Sequence, residues 1–315
     1  MHVTALAGGI GAGKFLRGLV RAVDPTDVTV IVNTADDIRM HGLHVSPDVD
    51  SVTYWLGDAF DRERGWGRRD ETFRATEELR RFDADAAWFS LGDLDLATHL
   101  FRTRLLAEGR TLSDVTARVA ARFGVASRIL PMSDDAVTTR ITAVALGHEL
   151  DLHFQEYWVQ RHAQDDVKAV RYEGVERAAP AAGVLEAIGS SEAIVICPSN
   201  PVASIGPILA VPGMREALQE APAPVVAVSP FVGGRAVKGP TEPFMAQAGL
   251  PLGVAGVLAA YEGLLDGVVS DERPGAGDVP ALVTDTLMDT QDARRRVAGE
   301  VLEFARGLGH ARGDR

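Results

Sequence analysis

The chain has 315 residues, 46% of them hydrophobic, enough to bury a large core in one or two domains. Its 32 basic and 44 acidic residues leave a net charge of −12 and a pI near 5.1, a surface that repels nucleic acid and anionic membranes. No apolar run reaches the roughly 18 residues of a membrane span, the start MHVTALAGG lacks a secretory pattern, and the single cysteine, Cys197, excludes an internal disulfide, so the chain reads as cytoplasmic.

Short apolar runs alternate with helical patterns along the chain. Val3–Ala7 and Val28–Val32 read as buried parallel strands. Between them Phe15, Leu19 and Val23 recur every four residues, with Leu16 and Val20 beside them, the face of a helix. Further strands are expected at 86–91, 127–132, 193–197 and 224–229, and helices at about 70–82, 113–123, 180–189 and 291–308, with Ser113 as an N-cap. Residues 135–180 break this rhythm. They are polar yet carry Phe154, Tyr157, Trp158 and Tyr172, which suits an inserted cap subdomain better than a linker. The expected architecture is therefore α/β: a Rossmann-like parallel sheet with helices on both faces, formed by 1–134 and 181–315, with 135–180 as a smaller insertion.

Residues 8–15, GGIGAGKF, join the first strand to the first helix. Gly8, Gly13 and Lys14 match a P-loop, but Phe15 stands where a hydroxyl would reach magnesium. Gly9 and Gly11 begin a dinucleotide fingerprint, but Lys14 replaces its third glycine. The stretch is read as an anion cradle of another kind, where unpaired N–H groups and the helix dipole meet a phosphate.

The second strand delivers Asn33, Thr34, Asp36 and Asp37 to the same sheet edge, and Asp48 and Asp50 follow in SPDVD. Short carboxylates beside a phosphate cradle would repel a diphosphate unless a cation lay between them, and oxygen donors of this kind suit Mg2+. LGDLDLATHLFR, 91–102, adds Asp93 and Asp95, then His99 and Arg102. The turn CPSNP places Ser199, Asn200 and Pro201 after another strand, and SPFVGGRAVK adds Gly233, Gly234, Arg235 and Lys238. Trp66, among Arg64, Arg68 and Arg69, is suited to stacking on a planar ring or to a plain surface turn. No metal-ligand Cys/His spacing and no serine-hydrolase elbow is present.

In order, GGIGAGKFLRGL, NTADD, SPDVDSV, RGWGRRDETF, LGDLDLATHL, HFQEYWV, PSNPVASIGPIL, VSPFVGG and LVTDTLM resemble the 2-phospho-L-lactate and phosphoenolpyruvyl transferases of coenzyme F-420 biosynthesis. The resemblance implies transfer of a phosphoacyl group from a guanosine-diphosphate-activated acid to the ribityl hydroxyl of the deazaflavin Fo, with release of GMP and a need for Mg2+. It implies that Gly8, Gly9, Gly11, Gly13, Lys14, Ser199, Asn200 and Pro201 hold the nucleotide. Asp36 and Asp37 would hold the metal, Asp36 and Asp50 would be catalytic, and Asp48, Asp50, Trp66 and Asp93 would lie by the deazaflavin. A homodimer is implied as well. The alternatives from the residues are a nicotinamide-dependent Rossmann oxidoreductase and a nucleotide sensor without turnover.

Overall fold

In the computed structural model, residues 1–313 are described except 84, 86, 87, 238, 276 and 278. The expected first unit forms: strand β1 (Val3–Ala7), helix α1 (Gly9–Leu19) and strand β2 (Val28–Val32). A small hairpin, β3 (Ile38–Met40) with β4 (Leu43–Val45), leads into helix α2 (Pro47–Leu56). Helices α3 (Arg74–Phe82), α4 (Asp93–Ala107) and α5 (Leu112–Arg122) then precede strand β5 (Arg128–Pro131).

Residues 138–173 fold as a separate antiparallel sheet of β6 (Thr138–Ala145), β7 (His148–His153) and β8 (Asp166–Glu173). The chain returns through α6 (Val184–Ser190), β9 (Ala193–Ile196), α7 (Gly206–Ala210), α8 (Met214–Glu220) and β10 (Val225–Val228). A two-residue hairpin, β11 (Phe231–Val232) and β12 (Arg235–Ala236), turns at Gly233 and Gly234. Helices α9 (Thr241–Gln247) and α10 (Val254–Ala260), strands β13 (Gly267–Ser270) and β14 (Ala281–Val283), and the long α11 (Gln291–Gly313) complete the chain.

The main sheet is parallel throughout, in the order β14-β13-β10-β9-β1-β2-β5. Successive strands move outward from β1 to β5, and the chain then restarts at β9 on the other side of β1. That reversal opens a crevice beyond the carboxyl ends of β1 and β9, the place where open α/β sheets bind ligands. The fold is the expected Rossmann-like α/β class.

Each strand feeds two cores, because successive side chains point to opposite faces. Val3, Ala5 and Ala7 of β1 pack with Phe15, Leu16, Leu19, Val297 and Val301. Leu6, between them, joins Ile31, Ile188, Ile208 and Val257 on the other face. This two-sided burial explains why the strands are continuous apolar runs. In the antiparallel sheet, Ile141 and Ala143 pack with Phe154 and Tyr157 onto Phe244 of α9, which accounts for much of that stretch's aromatic content.

Two local expectations change. Residues 88–91 form no strand; Trp88, Phe89 and Leu91 instead pack on Met40 and Val45 of the small hairpin, and 86 and 87 lie outside the described residues. The apolar run was there to cover a hairpin rather than to enter the sheet. Helix α5 is capped by Thr111, whose hydroxyl accepts from the Asp114 N–H at 3.1 Å, while Ser113, inside the helix, bonds Asp134. Among the described residues no helix is long and apolar enough to cross a membrane.

Gly13 shows how tightly α1 meets α2. A Cβ there would lie 2.1 Å from Trp55 Cδ1, and Trp55 is itself buried and stacked on Phe60 at 4.6 Å. Gly13→Ala should therefore destabilise the fold by about 1–3 kcal/mol despite alanine's better helix propensity. A scanning-calorimetry midpoint equal to or above that of the parent chain would show that Trp55 moves aside freely.

Candidate active site

The crevice holds a cavity of about 490 Å3, within the range of small-molecule sites. Its middle is the turn after β1 facing the ends of β2 and β9. Its lining includes Asn200, Ala203, Pro230 and Thr241 from the segments after β9 and β10, and Tyr54, Trp66, Trp88, Phe89 and Asp95 from the segments after β2. Phe154, Gln155 and Trp158, beyond β7, form part of the wall.

Helix α1 begins at Gly9 itself, so the glycine stretch is less a loop than the helix's first turns. The early N–H groups of a helix lack internal acceptors. Here one is already taken: Gly9 N–H donates to Asp48 Oδ1 at 2.8 Å. Gly11 approaches β9's turn so closely that a Cβ would lie 2.2 Å from the Pro198 carbonyl oxygen. Ser199 braces the same turn, its hydroxyl donating to the Gly8 carbonyl at 2.8 Å. Asn200 caps the wide turn that follows, accepting from Val202 and Ala203 N–H groups at 2.9 and 3.0 Å. Lys14 lines the cavity and is held by Asp289 at 2.9 Å.

Four carboxyl groups line the cavity, and their environments differ. Asp36 is fully enclosed at the end of β2; burial, then the nearby Asp48 charge, pushes its pKa well above the ordinary range, with Asn33 and Thr139 tempering the rise. Its Oδ1 has no hydrogen-bond partner of ordinary geometry. Asp48, accepting from Gly9 and from Asn33 Nδ2 at 3.0 Å, is raised by burial to about 6. Asp95 is raised by burial, then by Asp50, to about 7. Asp50 instead faces Arg102: Nη1 donates to Oδ2 at 3.0 Å and Nη2 to Oδ1, joining α2 to α4 inside the protein. His99, 3.2 Å from Arg102 through Nδ1, is lowered by burial to about 4 and is neutral.

A family model described as "2-phospho-L-lactate transferase CofD" matches residues 3–292. The chain belongs to the 2-phospho-L-lactate transferase family. A phosphoenolpyruvate transferase from Streptomyces griseus is 46% identical over 313 residues, covering 97% of this chain and 98% of that protein. A 2-phospho-L-lactate transferase from Methanosarcina acetivorans is 39% identical over 310 residues, covering 96% of this chain and 97% of its own. A solved UPF0052-family protein from Bacillus halodurans superimposes with a TM-score of 0.61 at 18% identity, covering 96% of this chain and 98% of that one, and shows the same fold. Membership makes the chain a transferase of the phospholactate or phosphoenolpyruvate type.

Against this family frame, the structure gathers Gly8, Gly9, Gly11, Lys14, Asp36, Asp48, Asp50, Trp66, Ser199 and Asn200 around one cavity. It does not bring Gly13, Asp37, Asp93 or Pro201 to that lining. Gly13 is spent on packing Trp55. Asp37 turns to His44 Nε2 at 2.9 Å and to the Ser46 hydroxyl at 2.6 Å, and its pKa is raised by burial against those two partners. Asp93 caps α3 from outside, accepting from the Thr72 hydroxyl and from Ala75 N–H at 3.0 Å, and its carboxyl is lowered by those bonds. Pro201 is buried at the start of its turn. Lys238 lies outside the described residues.

Asp95, and not Asp93, lines the cavity. Its two-residue offset rotates it about 200° around the helix, so α4 presents Asp95 inward and Asp93 outward. The sequence carried that signal, since Asp95 shares its helix face with Thr98, His99 and Arg102, all buried.

A carboxyl whose pKa rises on folding binds its proton more tightly in the native state, so its penalty is absent below about pH 4 and grows as pH climbs toward 7. Asp95→Asn should raise the melting temperature of the ligand-free protein at pH 8 by about 2–4 °C and change it little at pH 4. Equal shifts at both pH values in a thermal scan would show that the Asp95 charge does not oppose folding.

Proposed function

We propose that this chain transfers the phospholactyl or phosphoenolpyruvyl group of a guanosine-diphosphate-activated donor to the ribityl hydroxyl of the deazaflavin Fo, releasing GMP, a step of coenzyme F-420 biosynthesis. The observation that carries the reading is one cavity lined by the start of α1, by the buried Asp36 and Asp48, by the Ser199–Asn200 turn and by the aromatic Trp66, Trp88 and Phe89. A donor and an acceptor can lie in it together, which a sensor of one nucleotide would not need. The oxidoreductase alternative loses its ground with membership of a transferase family.

In this reading the diphosphate lies at the start of α1, where Ile10 and Gly11 line the cavity and the helix dipole favours an anion. The guanosine extends along the Ser199–Asn200 turn, and the planar acceptor lies against Trp66, Trp88 and Phe89. Asp36 and Asp48 would offer hard oxygen donors to Mg2+: Oδ1 of Asp36 has no hydrogen-bond partner of ordinary geometry, and the two carboxylates repel each other. Among the described residues no three His, Cys, Asp or Glu side chains group as a metal site by themselves. Asp37 accepts from His44 and Ser46 through Oδ2 and keeps Oδ1 without a partner, but it lies off the cavity lining, so Asp48 stands beside Asp36 in this reading. When bound, Mg2+ neutralises charge on the diphosphate.

The chemistry is an in-line displacement at the phosphorus that carries the acid. The ribityl oxygen forms a new bond to that phosphorus, and the bond from it to the bridging oxygen breaks. GMP leaves with the electron pair, and the hydroxyl proton passes to solvent or to a carboxylate of the site. Main-chain N–H groups of α1 stabilise the developing charge on the leaving phosphate. Asp50, ion-paired to Arg102 through both oxygens, acts as a positioning residue between α2 and α4.

Incubating the protein with Fo, Mg2+ and guanosine-diphosphate-activated phospholactate or phosphoenolpyruvate should yield GMP and the corresponding deazaflavin phosphodiester by mass spectrometry. Absence of product with every such donor would sink the assignment. Asp36→Ala should lower kcat/KM by at least about 100-fold with the circular-dichroism spectrum intact, and near-normal turnover at saturating Mg2+ would remove Asp36 from the metal's ligands.

A further inference from the structure

The aromatic part of the cavity lining contains one polar side chain that the reading above leaves without a task. Asp95 is 7% exposed and lines the cavity, and its Oδ1 has no hydrogen-bond partner of ordinary geometry. Neighbouring groups do not neutralise it. No salt bridge to it is found among the described residues, Asp50 is taken by Arg102, and Arg68 reaches instead to the Leu94 carbonyl at 2.7 Å. The Tyr54 hydroxyl lies close enough to influence the ionisation of Asp95 without an ordinary hydrogen bond between them.

The surroundings hold this carboxyl in place. Glu71 accepts from the Leu94 and Asp95 N–H groups at 2.8 and 2.7 Å, anchoring the first turn of α4. Gly67, with a φ of +68°, passes so near that a Cβ would lie 3.2 Å from Asp95 Oδ2. A carboxyl kept buried, anchored and unpaired opposes folding, and such groups concentrate where a ligand completes them. The ligand must be flat enough for Trp66, Trp88 and Phe89 and must bring a hydrogen-bond donor on its edge.

Resting on the acceptor placement proposed above, we propose that Asp95 accepts a hydrogen bond from the imide N–H edge of the deazaflavin ring and thereby selects the acceptor. The interaction is one of binding and orientation, remote from the reacting hydroxyl. It separates an imide-bearing ring from flat rings that lack the donor, because a ring without it leaves the buried carboxyl unsatisfied. Guanine also carries N–H donors on a flat edge, so both ligands enter the test.

The experiment compares binding of Fo, of Fo methylated at the imide nitrogen, and of GDP to the parent protein, Asp95→Ala, Asp95→Leu and Asp95→Asn, by fluorescence and calorimetry. The parent should bind Fo about tenfold more tightly than the methylated ring, and Asp95→Ala should bind the two rings alike, each variant keeping GDP affinity within about twofold. In turnover, KM for Fo should rise while kcat changes less. Asp95→Leu, close in size but without an acceptor, supplies the same comparison should the alanine variant fail to fold, while Asp95→Asn keeps a neutral acceptor oxygen and should retain part of the preference for Fo. Unchanged Fo affinity in the variants, equal weakening of both rings, or a loss of GDP affinity matching that of Fo would each overturn the assignment while the transferase reading stands. A parent protein that binds no Fo, with or without GDP, would remove the acceptor placement and this inference together.

Discussion

The carboxylate of Asp48 connects the parts on which the cavity depends. One oxygen accepts from the Gly9 N–H at the start of α1, and the other from Asn33 Nδ2 at the end of β2. Asp48 itself stands in the first turn of α2. Three elements meet at the sheet's switch point through one ionisable group, and the helix N-terminus keeps its remaining N–H groups for a ligand. The arrangement concentrates negative charge next to Asp36, so the ligand-free site is electrostatically incomplete. The proposed function supplies what is lacking there, an anion that arrives with a cation.

The buried charges divide by whether the protein satisfies them. Arg102 and Asp50 satisfy each other, and removing either would leave a lone buried charge, which is how such pairs hold elements in register. Asp36, Asp48 and Asp95 are shifted upward by burial and lack matching cations. Asp50 lines the cavity with its charge already paired, whereas Asp36, Asp48 and Asp95 line the same cavity without a paired cation. That division separates structure from chemistry more sharply than residue type does, since all four groups are aspartates within one short stretch of sheet edge and helix.

Much of this was legible in the chain, for identifiable reasons. β1 and β2 are short runs, apolar but for one threonine each, because both sheet faces are covered, and the four-residue recurrence of Phe15 and Leu19 marks α1. The glycine stretch between them marked the crevice. Residues 88–91 misled because a short apolar run has no period of its own: Trp88, Phe89 and Leu91 serve a satellite cluster over a hairpin. Ser113 yielded to Thr111 because two hydroxyl residues precede the same helix and only geometry chooses between them.

The sequence by itself determined the fold class, the location of the crevice and the family, since these follow from periodicity and from the order of motifs along the chain. Only the tertiary structure decided which aspartates face the cavity. Asp37 turns to His44, Asp93 caps a neighbouring helix, Asp50 closes on Arg102, and Asp95 is left facing the aromatic wall. The reason is physical: a carboxylate's role is set by whichever donors lie within about 3 Å of it, and those donors come from segments far away in sequence.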